Sequence, residues 1–86
     1  MYIMLITYNW DVNYVSKSFY SEEEAIDFMN KLLEEEVELV KKENEYEPKV
    51  VRHFDNYVEL IYDEEQYVDS SSDIATYRVI RANTIV

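Results

Sequence analysis

Hydrophobic and polar positions along the chain fall into blocks of different period. From Tyr2 to Tyr8 both alternating sets are apolar or β-favouring, with Ile3 and Leu5 on one face and Tyr2, Met4 and Ile6 on the other. That pattern predicts an interior strand covered, at least in part, on both faces. Turn-prone residues, Asn9 to Asn13, interrupt it. From Tyr14 to Phe19 the alternation is cleaner: Val15, Lys17 and Phe19 point one way, and Tyr14, Ser16 and Ser18 the other. A hairpin of two strands is the local solution.

At Ser21 the period lengthens. Ser21-Glu22-Glu23-Glu24 is a capping box, and three acids in the first turn suit the helix dipole. The expected helix runs from about 22 to about 43. Ala25, Ile26, Phe28, Met29, Leu32, Leu33, Val37, Leu39 and Val40 fill one band wide enough to pack on a sheet. Asp27, Lys31, Glu34, Glu35, Glu38 and Lys42 take the opposite side. Glu36 falls inside the apolar band, so it requires either a place at the band's exposed end or a basic partner.

Pro48 ends this segment, and two further strands, Lys49 to Phe54 and Tyr57 to Tyr62, flank the two-residue turn Asp55-Asn56. Residues 63–73 are polar, with three consecutive serines, and read as the longest loop. Ile74 to Arg81 is a fifth strand that residues 82–86 could extend. The order is ββαβββ. The fold class is therefore α+β: a single domain over residues 1–86, with an antiparallel sheet of about five strands and one long helix packed on one face. The other face is expected to be open and rich in tyrosine.

Composition narrows the function. With 86 residues, 48% of them hydrophobic, the chain supports one core despite a net charge of -11. There is no cysteine, which removes disulfides and thiol chemistry and favours the cytoplasm, or a host's cytoplasm for a phage-encoded chain. There is no glycine either, which removes every Gly-rich phosphate loop. The apolar N-terminus is too short for a membrane span and has no basic flank of the signal-peptide kind. The charge is concentrated: residues 21–73 hold 18 acids and 5 bases, whereas residues 1–20 are neutral and 74–86 carry two arginines. Such a surface repels nucleic acid and anionic membranes and suits a basic protein.

Catalytic and metal chemistry is poorly supplied. His53 is the single histidine and sits in a predicted strand; a general base there would need a neighbouring carboxylate. Among 19 acids some pair lies at a glycosidase-like separation by chance, so no pair stands out. Asp63, Glu64, Glu65, Asp69 and Asp73 gather oxygen ligands in one loop, but the spacing is not that of an EF-hand and the glycine its turn requires is absent. The expectation is a protein that is not an enzyme and takes no cofactor or metal.

The acidic arrays and the tyrosines carry more information. Glu24, Asp27, Glu34, Glu35 and Glu38 recur at helical spacings, with Lys31 and Lys42 the bases among them. Like charges so placed cost stability, and a row of carboxylates offers an anionic surface to a groove built for phosphates. Nine tyrosines are spread along the chain, a residue type enriched at interfaces. Tyr46 lies between Glu45 and Glu47, and Tyr67 between Glu65 and Asp69, in acidic and exposed segments. The candidate partner-binding residues are thus Glu24, Asp27, Glu34, Glu35, Glu38, Glu45, Tyr46, Glu47, Asp63, Glu64, Glu65, Tyr67 and Asp69.

In size, charge and α/β content the chain resembles the small acidic inhibitor proteins of phages and mobile elements, the DNA mimics and anti-CRISPR proteins. The resemblance implies a non-catalytic inhibitor whose partner is a basic, nucleic-acid-binding enzyme. The alternative is a small homo-oligomer, paired through the open sheet face or through the apolar edge Ile74-Ala75 through Ile80 and the terminal Ile85-Val86.

Overall fold

A computed structural model describes residues 1–44, 46–62 and 73–82. The elements are β1 (Tyr2–Tyr8), β2 (Tyr14–Val15), α1 (Glu22–Asn44), β3 (Lys49–Phe54), β4 (Tyr57–Tyr62) and β5 (Asp73–Arg81). They form the expected α+β architecture, one helix on a five-stranded sheet of order β2-β1-β5-β4-β3, antiparallel throughout. No helix among the described residues is long and apolar enough to cross a membrane.

Alternation sorts the sheet into two faces. Met4 and Ile6 of β1, Val58 and Leu60 of β4, and Ala75, Tyr77 and Val79 of β5 are buried, and they meet Ala25, Met29 and Leu33 of α1 in one core. The helix begins where the sequence places it: the Glu24 amide donates to Ser21 Oγ at 3.1 Å. The capping box is half made, because the exposed Glu24 carboxylate does not return the bond. The Asp55-Asn56 turn joins β3 to β4 as expected, with a one-residue register shift at His53.

The second strand is shorter than its alternation predicts. Leu5 pairs with Val15 and Ile6 with Tyr14, but Tyr2 pairs with Phe19, which inserts one extra residue. Ser16 causes the break. It is buried, its Oγ accepts from the Met4 amide at 2.8 Å, and it donates to the Lys17 carbonyl at 2.8 Å. A side-chain oxygen thus replaces a main-chain carbonyl in the ladder. The slip turns Phe19 to the helix side, where its ring lies 5.2 Å from that of Phe28. Phe19 therefore faces away from Val15, opposite to the strict alternation. Replacing Ser16 with Ala leaves the buried Met4 amide without an acceptor. The expected cost is about 1–3 kcal/mol, read from the urea midpoint.

Two further expectations are overturned. The stretch Ile74 to Ile80 is not a sheet edge: β5 is the central strand, hydrogen-bonded to β1 and β4, and offers no free ladder to a second copy. Nor, among the described residues, is the face away from the helix rich in tyrosine. Tyr2, Tyr8, Tyr62 and Tyr77 pack with the core on the helix side, whereas Tyr57 stands on the other face with Ile3, Leu5, Ile61, Ile74 and Ile80. These four stand on the three inner strands, where long rings with a polar tip pack toward the helix. Residues 83–86, with Ile85 and Val86, lie outside the described residues.

Candidate functional site

The solvent face of α1 follows from its period. At 100° per residue, Glu24, Asp27, Glu34, Glu35 and Glu38 all lie about 120–180° from the direction of Met29, the deepest helix residue, and all five are exposed. From Glu24 to Glu38 the row spans about 21 Å at 1.5 Å per residue. It is not continuous. Lys31 stands in the roughly 10 Å between Asp27 and Glu34, dividing the row into an N-terminal pair and a C-terminal trio. Lys41 as well as Lys42 shares this face, and its Nζ reaches Glu38 at 4.0 Å. Both side chains are exposed, so that pair contributes little and leaves the face negative.

The remaining sequence candidates divide. Glu47 is exposed in the segment joining α1 to β3, and Tyr46 beside it is half-buried. Glu45, Asp63, Glu64, Glu65, Tyr67 and Asp69 lie outside the described residues, as does all of the carboxylate-rich loop 63–73 except Asp73. Among the described residues no group of three or more histidines, aspartates and glutamates is placed to hold a metal.

His53 does find a carboxylate. At the bulge its Nε2 is hydrogen-bonded to Glu59 Oε1, and its ring sits 4.7 Å from that of Tyr57, over which Arg78 also lies at 5.2 Å. These four residues form a polar strip across the uncovered sheet face. His53 is exposed.

Glu36 is the feature that sequence reasoning left unresolved. It lies about 20° from Met29 on the helix wheel, half-buried over the sheet. Its partner is neither water alone nor a base: Tyr62 Oη donates to Glu36 Oε1 at 2.9 Å. Around this carboxylate gather Tyr8 of β1, Tyr62 of β4 and Tyr77 of β5. Ala75 between them is small enough for the rings to close over β5. Trp10 caps the group, 5.1 Å from Tyr8 and 5.2 Å edge-on from Tyr62. Burial first, and then the Glu36 charge, hold the Tyr8 hydroxyl above its ordinary value. Burial, followed by the hydrogen bond to Glu36, raises Tyr62 further; burial, followed by the nearby Tyr8, raises Tyr77.

The sign of the resulting pH dependence is fixed. A folded-state tyrosine pKa above 10.0 means the folded protein disfavours phenolate, so this stability is complete below pH 10 and is lost as pH rises beyond it. We expect the urea midpoint to hold near pH 8 and to fall steeply toward about pH 11, by up to about 1.4 kcal/mol per pH unit for Tyr77. A Tyr77→Phe variant should show a flatter decline.

Beside this cluster lies a cleft of about 390 Å³ between α1 and the β1–β2 hairpin. Tyr8 and Tyr14 wall it, Tyr77 closes its base, and Glu35 and Glu36 line its helix side. Leu39, counted from sequence among the apolar band, is 48% exposed at its mouth, because β2 is only two residues long and does not extend beneath it. The acidic trio and the tyrosine cluster, read separately from sequence, thus adjoin at Glu35.

No family model matches this chain, and neither a curated protein nor a solved structure matches it.

Proposed function

We propose that the protein is a non-catalytic binding protein that presents the acidic face of α1 to a basic groove on a nucleic-acid-binding protein, and so acts as an inhibitor of the DNA-mimic or anti-CRISPR kind. One observation carries this reading. The five candidate carboxylates Glu24, Asp27, Glu34, Glu35 and Glu38 are all exposed on a single 23-residue helix whose opposite side is anchored in the core. A helix held this firmly loses little entropy on binding, and its like charges are retained at a cost to stability. The C-terminal trio, Glu34, Glu35 and Glu38, offers the densest charge and forms the centre of the proposed surface. The test is capture from lysate by the immobilised protein at about 0.05 M and then about 0.5 M salt. A nucleic-acid-binding protein that is retained at low salt and released at high salt supports the reading; a partner held equally at both salts contradicts it.

A second reading draws on the uncovered sheet face. Ile3, Leu5, Ile61, Ile74 and Ile80 are apolar and only partly buried there, and the Arg78 and Glu59 side chains beside them suit a two-fold contact. Under this reading a second copy covers that face. Sedimentation at micromolar concentration distinguishes it: a dimer supports self-association, and a monomer removes it.

A further inference from the structure

We propose that the cleft between α1 and the β1–β2 hairpin is an arginine pocket, filled by one guanidinium of the partner protein; this rests on the acidic-helix reading and names its anchor. At about 390 Å³ the cleft falls within the range of pockets that enclose small ligands, and its chemistry is specific.

A guanidinium is planar, stacks on aromatic rings and bonds a carboxylate through two parallel N–H groups. The cleft supplies both surfaces. Tyr8 and Tyr14 line it as aromatic residues, and Glu35 and Glu36 as carboxylates. Glu36 is oriented for the task, because Tyr62 Oη holds its Oε1, and Oε2 keeps its full acceptor capacity. Half-burial over the sheet raises the value of that charge compared with the exposed carboxylates of the helix face. The apolar floor made by Ile6 and Leu32, with Leu39 at the rim, matches the methylene stem of an arginine. A carboxylate in an apolar band, unexplained by packing, thereby acquires a role.

The probe is N-acetyl-arginine amide, followed by amide chemical shifts of the intact chain, with the citrulline and lysine amides as controls. Citrulline has the same shape without the charge; lysine has the charge without the plane. We expect saturable shifts centred on Tyr14, Glu35 and Glu36 with arginine, binding about tenfold weaker with lysine, and none with citrulline. Glu36→Gln keeps an acceptor for Tyr62, and Tyr14→Ala alters a side chain that is 45% exposed, so both variants fold; each should weaken arginine binding about tenfold. Glu24→Lys/Asp27→Lys, outside the cleft, should leave it unchanged. Shifts spread evenly over the acidic face, equal response to lysine or citrulline, or indifference to Glu36→Gln and Tyr14→Ala would each overturn the pocket. If the pocket fails while reversal of Glu24, Asp27 and Glu38 still abolishes salt-sensitive capture, the acidic-helix reading stands without it. If capture fails as well, both fall.

Discussion

Replacing Met29 with Ala is expected to lower the unfolding free energy by about 2–5 kcal/mol, the cost of a deleted core side chain plus the cavity left behind. Met29 is fully buried in the N-terminal half of α1 and belongs to the same cluster as Met4, Val58 and Leu60. For a domain of 86 residues the total stability is about 4–13 kcal/mol, so this single change consumes a large share of it. The urea midpoint measures the loss. Leu39→Ala provides the contrast: the same helix and a comparable side chain, but exposed, so the expected change is within about 0.5 kcal/mol. A similar loss at both positions would mean that the helix does not dock on the sheet through Met29.

The second large effect concerns binding. Reversing Glu34, Glu35 and Glu38 together to Lys replaces the acidic trio by a basic one, and capture of a basic partner is expected to fall by two orders of magnitude or more, on the order of 1.4 kcal/mol for each tenfold step. The fold should survive, because all three side chains are exposed; the trio stays like-charged and the Glu38–Lys41 pair is lost, each at a cost of a few tenths of a kcal/mol. A cooperative thermal transition retained close to that of the parent, alongside lost capture, separates the loss of a surface from the loss of a structure. Unchanged capture would remove the trio from the interface.

Much of this fold is legible in the sequence because its periods are strong. The capping box at Ser21, the 3.6-residue band from Ala25 to Val40 and the Asp55-Asn56 turn are local signals, and local signals survive in the structure. What the periods do not carry is long-range. The break at Ser16 depends on the Met4 amide twelve positions away, and only that bond explains why β2 stops and Phe19 turns inward. The place of β5 at the centre follows from strand order, which alternation does not encode, so a strand that reads as an apolar edge is the most enclosed of the five.

The candidate site was legible in one half. The exposed acids of α1 fall where the helical period puts them. Glu36 was visible as an anomaly, but its meaning required Tyr62, 26 positions later, and the β4–β5 register that brings Tyr62 beside Tyr8 and Trp10. An acid inside an apolar band, in a chain with aromatic residues at strand ends, is the signal that points to such a cluster.

Whether the acidic face of α1 occupies a groove built for phosphates is decided by competition. A labelled DNA duplex is bound to the captured partner, and this protein is added at low salt. Stoichiometric displacement of the duplex is expected, weakened by added salt and abolished by the Glu34, Glu35 and Glu38 reversal. A ternary complex in which the partner holds duplex and protein together would contradict it.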